Sequence, residues 1–487
     1  MINIILTIIS FVILPYYFFI TSNVLQNQYY DLKRYFIYIW QNKRIIVFKA
    51  LLLCAIVLLS IFSKYFFCSL LILLIKKYNN NRHFFKFTNR IKRQFIIFFI
   101  LLSLNIVFII FNLSFYLQTT YILFIYWISF FISTLIEKLI KKHYTILAKN
   151  KLKNSNLTII AITGSFGKTS CKNYIYEFLK NDYNVLMSPK SFNTINGILL
   201  TINTLLKPYH NVLILEIGLD KKGGIDKILK ILPIDIALVT SIGAQHLKTF
   251  KSIENIANEK NKIFKSARKY SIVNVDNLYI DSSNSKCKKI FVSTIKKADI
   301  SLKVIEESLQ HTKISLQIYK ENFELSSNLI GKHNYENLVC AIGVAKALNI
   351  ENKVITQVIS KLKNVEHRLS LIKTNNWFII DDSYNSNPIG FLNAVKLFEN
   401  IKNYKVIITP GIIEKSKDDE LDKKIAYELT KNFDLIILIN NPSFSHLINK
   451  KLSFYNFKEA YNYLKENYSE KSLTILIEND LPEIFIK

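Results

Sequence analysis

The segment AITGSFGKTS, residues 161–170, decides how the second part of this chain folds. It overlaps the apolar run LTIIAIT (157–163), which has the pattern of a buried strand, and precedes CKNYIYEFLK (171–180), whose apolar residues have helical spacing. A glycine-rich turn between a strand and a helix is the context in which backbone N–H groups at a helix N-terminus bind phosphate. We therefore predict a phosphate loop in this segment.

This loop is shorter than the usual phosphate-binding pattern. That pattern has four residues between its first glycine and the Gly-Lys pair, whereas only two residues separate Gly164 from Gly167. Ile162 belongs to the strand, so the loop begins at Gly164. Lys168 supplies a positive charge for phosphate, and the Thr169 hydroxyl is placed to ligate Mg²⁺.

Three ionisable side chains follow in segments that alternate between strand and helix patterns. The strand in NVLILEIG ends in Glu216, the segment IALVTSIGAQHLKTF presents His246 in a loop, and the helical segment IENIANEKNKIF carries Lys260. A carboxylate at the end of a neighbouring strand is a suitable second ligand for magnesium. A loop histidine and a solvated lysine are the plain alternatives for the other two residues.

The first 140 residues differ in composition from the rest. The chain has 487 residues and a net charge of +28, and 17 of its 64 Lys and Arg residues, but only 2 of its 36 Asp and Glu residues, lie in residues 1–150. Long uncharged runs between these basic residues are typical of membrane helices with positive flanking loops. A nucleic-acid partner is the competing interpretation of the charge, but no nucleic-acid-binding signature is present.

Four apolar runs are candidate membrane spans: Ile2–Ile20, Ile45–Ile75, Phe95–Leu113 and Tyr116–Ile136. The second run crosses either once or twice, so residues 1–145 are expected to form a transmembrane helical region of 4–5 spans. The positive-inside rule then predicts a multi-pass protein of the cytoplasmic membrane whose remaining residues face the cytoplasm. Buried helices of a soluble core are the alternative.

Cysteine spacing excludes two kinds of site. The five cysteines are scattered without a CxxC pair or a Cys/His cluster, so the sequence supports neither structural zinc nor a disulfide framework. An ATP-driven transporter would also combine spans with a phosphate loop. It would require the long form of the loop and an LSGGQ-like signature, and neither is present.

The motifs, taken in order, resemble those of the Mur ligases, which are ATP-dependent amide-forming enzymes of bacterial cell-wall synthesis. The similar segments are GSFGKTS, SFNTINGI (191–198), LEIG, TSIGAQHL, ANEK, LIGKHNYENLVCAIGVAKAL (329–348), HRLSLI (367–372), IIDDSYNSNPIGFLNAV (379–395), ITPGIIE (408–414) and ENDLP (478–482). They cover nearly all of residues 155–487. The DDSYNSNP stretch is most similar to the branch that adds D-alanyl-D-alanine.

The resemblance implies a fold and a domain division. After the membrane α-helical region, residues 155–362 should form a P-loop-type α/β ATPase domain with a parallel sheet. Residues 366–487 should form a smaller Rossmann-like domain, in which WFIID (377–381), YKVIITP (404–410) and FDLIILIN (433–440) read as strands.

The resemblance also assigns residues to ATP and metal. The implied nucleotide-binding residues are Gly164, Ser165, Gly167, Lys168, Thr169, Ser170, His333, Asn334, Asn337, Arg368 and Asp382. Thr169 and Glu216 would hold one Mg²⁺, and His246 would help to hold a second. Lys260 matches the lysine that is commonly carbamylated in the family, a modification that turns a cation into a carboxylate-like metal ligand.

Catalysis and substrate binding are implied in the same way. The catalytic residues would be Lys168, Lys260, His246 and Arg368, and the substrate-binding residues would be Asn193, Thr194, Tyr384, Asn385 and Asn387. The γ-phosphoryl group of ATP would activate a carboxylate as an acyl phosphate, and an amine would then displace phosphate to form an amide.

Two questions stay open from the sequence. No stretch before residue 155 resembles the domain that grips the uridine nucleotide in soluble family members. The acceptor is therefore a cell-wall precursor that is either UDP-linked or lipid-linked, with membrane lipid as a further partner. The amine is D-alanyl-D-alanine or a similar compound, and a polyglutamate or capsule amide ligase is the alternative function. An inactive scaffold is disfavoured by the intact Lys168, Glu216, His246 and Lys260.

Overall fold

The computed structural model describes residues 87–110, 115–189, 192–309, 311–384, 388–412, 419–440 and 442–478, together with nine residues between positions 18 and 35. The chain divides into two compact units, Met1–His143 and Tyr144–Lys487.

Two long helices follow the nine residues described between positions 18 and 35. Helix α1 comprises Asn89–Ile110, and helix α2 comprises Phe115–Lys153. In the first unit they share a buried apolar cluster formed by Phe18, Leu25, Tyr35, Ile91, Phe98, Leu102, Ile125, Tyr126 and Phe130. The Arg93 guanidinium of α1 donates to Glu137 Oε1 of α2 at 2.5 and 2.8 Å.

The prediction of a membrane α-helical region was wrong for the described residues. Within them, no helix is long and apolar enough to cross a bilayer. The apolar segment Tyr116–Ile136 is part of a longer helix that continues through Glu137 into a lysine-rich stretch ending at Lys153. The predicted multi-pass membrane localisation is overturned with it. The candidate spans Ile45–Ile75 and, apart from Phe18, Ile2–Ile20 lie outside the described residues.

Nine described strands of the second unit form one sheet. They are β1 (Thr158–Thr163), β2 (Val185–Met187), β3 (Val212–Glu216), β4 (Ile236–Val239), β5 (Tyr270–Asn274), β6 (Lys288–Ser293), β7 (Ile300–Glu307), β8 (Thr312–Ile318) and β9 (Glu321–Ser327). The order is β2-β3-β1-β4-β5-β6-β7-β8-β9, parallel from β2 to β7 and antiparallel thereafter. The phosphate-loop strand β1 therefore lies between β3 and β4. Because both neighbours are parallel to β1, its C-terminal end lies between theirs.

Helices cover both faces of this sheet. They are α3 (Lys168–Leu179), α4 (Ile195–Leu200), α5 (Gly224–Leu229), α6 (Leu247–Phe250), α7 (Ile253–Lys265), α8 (Lys332–Ala347) and α9 (Asn352–Lys361), and a π-helical turn, Thr201–Leu205, follows α4. Side chains of β1 alternate between two cores, as expected for a buried strand. Ile160 and Ile162 join the core with α3 and α8, whereas Ile159 and Ala161 join the core with α4, α5 and α7.

A second sheet follows in the same unit. Its strands are β10 (Ser370–Lys373), β11 (Trp377–Asp382), β12 (Tyr404–Thr409), β13 (Leu435–Ile439), β14 (Leu452–Phe454) and β15 (Leu473–Glu478), in the order β10-β11-β15-β12-β13-β14. All neighbours are parallel except β10 and β11. Its helices are α10 (Pro388–Lys396), α11 (Asp419–Asn432) and α12 (Phe457–Tyr468), with a 3₁₀ turn at Ser445–Leu447.

The α/β part of the predicted fold, with its parallel sheets, thus agrees with the structure. The two sheets lie on either side of the predicted division between residues 362 and 366. The bounds of the two domains stay a prediction.

Candidate active site

The phosphate loop connects the end of β1 to the start of α3. Gly167 has a φ of +80° and directly precedes the first residue of the helix, Lys168. The Lys168 ammonium turns back across the loop and donates to the backbone carbonyls of Gly164 at 2.8 Å and Ser165 at 3.2 Å. The Lys168 ammonium therefore lies against the loop that leads into the helix N-terminus, and both the cation and the helix N-terminus favour a bound anion.

The loop that follows β4 holds the phosphate loop in place. The Thr240 hydroxyl donates to the Phe166 carbonyl at 2.6 Å, and the Ser165 N–H donates to the Ser241 carbonyl at 2.6 Å. Ser165 Oγ lies 3.0 Å from both the backbone nitrogen and the carbonyl oxygen of Gly243. These bonds fix the loop before any ligand binds, which lowers the entropy cost of binding.

Two positions in the loop favour glycine, because both have positive φ and neighbouring polar side-chain atoms lie where a Cβ would stand. A Cβ on Gly167 would lie 2.0 Å from Asn337 Oδ1, and a Cβ on Gly164 would lie 2.1 Å from Thr240 Oγ1. The predicted nucleotide residue Asn337 is therefore placed against the phosphate loop. The short loop therefore leaves little room for a side chain at Gly164 or Gly167.

Glu216 ends β3 beside the phosphate loop. Its carboxylate is 2% exposed and accepts from the Thr169 hydroxyl at 3.0 Å and from the Asn193 amide at 3.2 Å. Glu216 lies beside the phosphate loop because it pairs, in the parallel sheet, with Ile162 near the end of β1. An adjacent carboxylate and hydroxyl are oxygen ligands of the kind that Mg²⁺ binds, with phosphate and water completing its shell. The residues present therefore fit one magnesium ion.

Lys260, on α7, also contacts the phosphate loop. Its side chain is 2% exposed, and its ammonium donates to the Gly164 carbonyl at 2.5 Å, the same oxygen that Lys168 contacts. Burial, and then the charge of Lys168, hold the pKa of Lys260 well below its usual value. Burial, moderated by Glu216 and reinforced by Arg368, lowers the pKa of Lys168 to about 8.

The second predicted metal site is less developed. His246 is exposed and directly precedes the short helix α6, with a φ of +54°. In the part of the chain that the structure describes, no three His, Cys, Asp or Glu side chains are grouped so that they could hold a metal ion. The pairing of Glu216 with Thr169 is the best-formed part of the predicted metal centre.

Helix α8 brings the predicted nucleotide residues into different environments. His333 Nδ1 is buried and has no hydrogen-bond partner among the described residues. Burial and the nearby charge of Arg368 lower the pKa of His333 to about 4, so the ring is neutral at physiological pH. Asn334, in contrast, accepts from the Tyr174 hydroxyl at 3.1 Å and donates to the Ile330 carbonyl at 2.8 Å. Its side chain ties α8 to α3.

Arg368 reaches the same region from the segment that leads into the second sheet. Its charge lowers the pKa of both Lys168 and His333, and its guanidinium carbon lies 5.3 Å from the ring centre of Tyr384. Tyr384 is about half exposed. The predicted substrate residues Asn385 and Asn387 lie outside the described residues.

Asp382 is buried in the second sheet. It is 1% exposed, accepts from the Leu369 N–H at 3.1 Å, and pairs in register with Glu478 of β15. Burial, and then the neighbouring Asp382, raise the pKa of Glu478 well above its usual value.

Two further predicted residues lie at the starts of described helices. The Thr194 hydroxyl caps α4 by accepting from the Gly197 N–H at 3.2 Å. Ser170 is 2% exposed on α3. Thr194 thus directly precedes α4, and Ser170 lies in the first turn of α3, two residues after Lys168.

The sequence did not single out Lys172 and Asp381. Lys172 is 1% exposed and lies 3.5 Å from Glu216, whereas Asp381 accepts a hydrogen bond from His367. A lysine one turn after Lys168, on the helix face that also carries buried Cys171 and Ile175, was the available signal for the first.

Comparisons with known proteins agree with this geometry. The family model described as the Mur ligase middle domain matches residues 162–345. The UDP-N-acetylmuramoyl-tripeptide–D-alanyl-D-alanine ligase of Buchnera aphidicola subsp. Baizongia pistaciae (strain Bp) is 33% identical over 334 residues, which are 66% of this chain and 72% of that protein.

Two solved structures resemble the chain. A MurF structure from Acinetobacter baumannii has a TM-score of 0.64 and 22% identity, covering 70% of this chain and 77% of its own. The MurF ligase of Thermotoga maritima in complex with ADP has a TM-score of 0.62 and 21% identity, covering 70% of this chain and 80% of its own. At these identities the likeness shows the fold alone.

Proposed function

The chain belongs to the Mur ligase family and is an ATP-dependent ligase that forms C–N bonds in peptidoglycan synthesis, and from this we propose that it joins D-alanyl-D-alanine to the terminal carboxylate of a UDP-linked muramoyl tripeptide. The observation that carries the proposal is the phosphate loop, in which the Lys168 ammonium contacts the loop at the start of α3 and the next residue, Thr169, donates to Glu216. The relative named above acts, by its name, on these two substrates.

ATP would bind with its phosphates at the phosphate loop. Lys168 and the loop amides would contact the β- and γ-phosphates, because the ammonium and the helix N-terminus are aligned there. His333 Nδ1, which has no partner in the part of the chain that the structure describes, supports a nucleotide contact, since a buried polar atom without a partner is costly unless a ligand satisfies it. Arg368 would add its charge from the segment that leads into the second sheet. We assign residues 155–362 to a domain that carries the phosphate loop and residues 366–487 to a domain that carries Arg368, and the two domains would bind ATP together.

Magnesium would be held by Thr169 and Glu216, whose oxygens are already adjacent. The ion supplies neutralisation of phosphate charge when bound. His246 remains the proposed ligand of a second ion.

Carbamylation of Lys260 is part of the proposal. Two ammonium groups on the single carbonyl of Gly164 repel one another, and a lysine whose pKa is lowered is more often the neutral amine. A neutral amine attacks CO₂ and loses a proton, which gives a carbamate with one negative charge. The modified Lys260 would attract Lys168 and complete an oxygen ligand set. Intact-mass measurement in bicarbonate buffer tests this, because the wild type should gain the mass of CO₂ and Lys260→Gln should not.

The chemistry of the chain's own residues follows from these positions. The acceptor carboxylate attacks the γ-phosphorus, and the bond to the β-phosphate oxygen breaks. ADP departs, and the carboxylate has become an acyl phosphate. The charges of Lys168 and Arg368 stabilise the transferring group. The amine of D-alanyl-D-alanine then attacks the acyl carbon, phosphate departs, and the nitrogen loses a proton. Asn193, bonded to Glu216, and Tyr384, beside Arg368, are the proposed substrate contacts among the described residues.

The test measures ADP release by purified protein with paired substrates. UDP-linked muramoyl tripeptide with D-alanyl-D-alanine should be turned over. A lipid-linked tripeptide, or polyglutamate with glutamate, should not. Turnover of either alternative in place of the UDP-linked pair would overturn the substrate assignment.

Lys168→Ala should abolish turnover, because it removes the positive charge that would contact the phosphates and leaves the hydrophobic core unchanged. Lys222→Ala, an exposed lysine on the loop before α5, is the matched control and should behave like the wild type. Normal turnover by Lys168→Ala would contradict the enzyme mechanism.

A further inference from the structure

Lys172 is a buried cation that the proposed mechanism does not use. It lies one helical turn after Lys168 on α3 and is 1% exposed. Its ammonium lies 3.5 Å from Glu216 Oε2 and donates to the Ser188 carbonyl at 2.8 Å. A buried lysine is expensive unless it is paired with charge and satisfied by hydrogen bonds. Both conditions are met here at the candidate metal ligand.

Ser188 connects the same lysine to Glu216 by a second route. The Ser188 hydroxyl accepts from the backbone N–H of Glu216 at 3.3 Å, and the Ser188 N–H donates to the Ile214 carbonyl at 2.9 Å. Lys172 therefore contacts both the side chain of Glu216 and the residue that fixes its backbone. The phosphate-loop helix, β3 and the segment after β2 meet at this one ammonium group.

The three side-chain partners of Glu216 differ in kind. Thr169 and Asn193 are neutral donors, and the Thr169 hydroxyl would itself turn toward a metal ion. Lys172 supplies positive charge in an ion pair with the Glu216 carboxylate, and interactions between charged groups are stronger than those between neutral ones. The Lys172 ammonium contacts the Ser188 carbonyl, whereas the Lys168 ammonium contacts the Gly164 and Ser165 carbonyls of the phosphate loop.

We propose that Lys172 is a positioning residue, which holds the Glu216 carboxylate beside Thr169 and thereby sets the affinity of the site for the divalent cation that accompanies ATP. The inference rests on the proposed role of Glu216 as a metal ligand. Groups that orient a metal ligand from behind typically alter metal affinity by about 10- to 100-fold when they are removed.

The first experiment measures binding of Mn²⁺ to the full chain with ADP, by electron paramagnetic resonance. Lys172→Met removes the charge and keeps the length of the side chain. It should weaken Mn²⁺ binding by about tenfold, while ADP affinity in EDTA stays at the wild-type value. Lys172→Arg, which keeps the charge, should recover part of the affinity. Lys180→Met is the matched control, because Lys180 is a half-exposed lysine that follows the same helix, and it should change neither value.

A double variant separates positioning from a merely structural role. Glu216→Gln alone should weaken Mn²⁺ binding, and adding Lys172→Met to it should weaken binding no further. Additive losses would overturn the inference, and so would a Lys172→Met protein with a lower Tm but wild-type Mn²⁺ affinity. If Glu216→Gln binds Mn²⁺ normally, the metal role proposed for Glu216 fails as well.

Folding provides an independent measurement. Lys172→Met leaves a buried carboxylate without its cation and should lower Tm, whereas the double variant with Glu216→Gln removes both charges and should regain stability. If Lys172→Met does not fold, recovery of Tm in the double variant and partial Mn²⁺ affinity in Lys172→Arg support the inference. A double variant as unstable as Lys172→Met would contradict the pairing.

Discussion

His367 Nδ1 lies 2.6 Å from Asp381 Oδ2, and this hydrogen bond anchors the residue that precedes Arg368. On the other side of the arginine, the Leu369 N–H donates to Asp382 Oδ1 at 3.1 Å. His367 and Leu369 both have positive φ, +62° and +54°, a conformation that costs energy in non-glycine residues. The consecutive carboxylates of Asp381 and Asp382 thus hold the two residues that flank Arg368. We infer that these contacts direct the arginine toward the phosphate loop.

Asp381→Asn should therefore slow turnover by acting through Arg368. We expect kcat/KM for ATP to fall by about 10- to 100-fold, because a small misplacement of a phosphate-binding group has effects of this size. Steady-state kinetics at saturating acceptor and amine measure the change. Asp281→Asn, in an exposed loop of the first sheet, is the control and should match the wild type.

A second comparison tests the route of that effect. In an Arg368→Ala background, Asp381→Asn should add little further loss, since the residue that it positions is absent. Equal losses with and without Arg368 would contradict the positioning role of Asp381.

Asn334 is expected to stabilise the fold. Asn334→Ala leaves the buried Tyr174 hydroxyl without its acceptor and removes one of two side-chain amides that donate to the Ile330 carbonyl, the other being that of Asn364. The loss should cost about 2 kcal/mol of unfolding free energy. Urea unfolding measures this, and ADP titration measures the nucleotide affinity, which should change little. Tyr174→Phe removes the same hydrogen bond and should reproduce part of the stability loss. A large loss of ADP affinity with unchanged stability would favour the direct nucleotide contact predicted from the sequence.

His333 should make stability depend on pH. Its pKa is lowered from 6.5 to about 4 in the folded protein, so the unfolded chain binds the proton more readily across that interval. The stabilisation is fully present above pH 6.5 and is lost as the pH falls toward about 4. The shift corresponds to at most about 3 kcal/mol.

Urea unfolding of wild type and His333→Gln at about pH 7 and about pH 5 checks this prediction. The wild type should lose more stability on acidification than the variant. His311→Gln, an exposed histidine between β7 and β8, should keep the wild-type dependence. Parallel pH profiles for wild type and His333→Gln would contradict a buried neutral imidazole.

The strand, loop and helix around the predicted phosphate site could be predicted from the sequence because their signals are local. A strand, a short glycine loop and a helix are contiguous, and the structure has them at Thr158–Thr163 and Lys168–Leu179. Glu216 could be predicted as well, since parallel strands bring their C-terminal ends to one edge.

Partners that depend on long-range contacts could not be predicted in this way. Lys172 meets Ser188 and Glu216 only because α3 lies on the face of the sheet beside β2 and β3, and a lysine in a helix otherwise reads as a solvent-exposed residue. The apolar composition of Tyr116–Ile136 was misleading for a related reason. Hydropathy does not reveal that the helix runs on through Glu137, which pairs with Arg93.

Gly167 provides the sharpest test of the enclosed loop. Gly167 and Gly223 have nearly the same backbone, with φ of +80° and +81°, but a Cβ on Gly167 would lie 2.0 Å from Asn337 Oδ1, whereas a Cβ on Gly223 would meet nothing within 4 Å. Alanine at either site therefore carries a similar backbone cost, about 1–2 kcal/mol. Only Gly167→Ala adds a steric clash at the phosphate loop.

Gly223→Ala should accordingly lower unfolding free energy slightly and leave ADP affinity unchanged, whereas Gly167→Ala should weaken ADP binding by at least about tenfold, equivalent to about 1.4 kcal/mol. Isothermal titration with ADP and urea unfolding measure the two quantities. Asn337→Ala in the Gly167→Ala background should restore part of the stability, because it removes the atom that the new methyl group strikes. Equal ADP affinity in the two single alanine variants would show that the contact between Asn337 and Gly167 does not shape the loop.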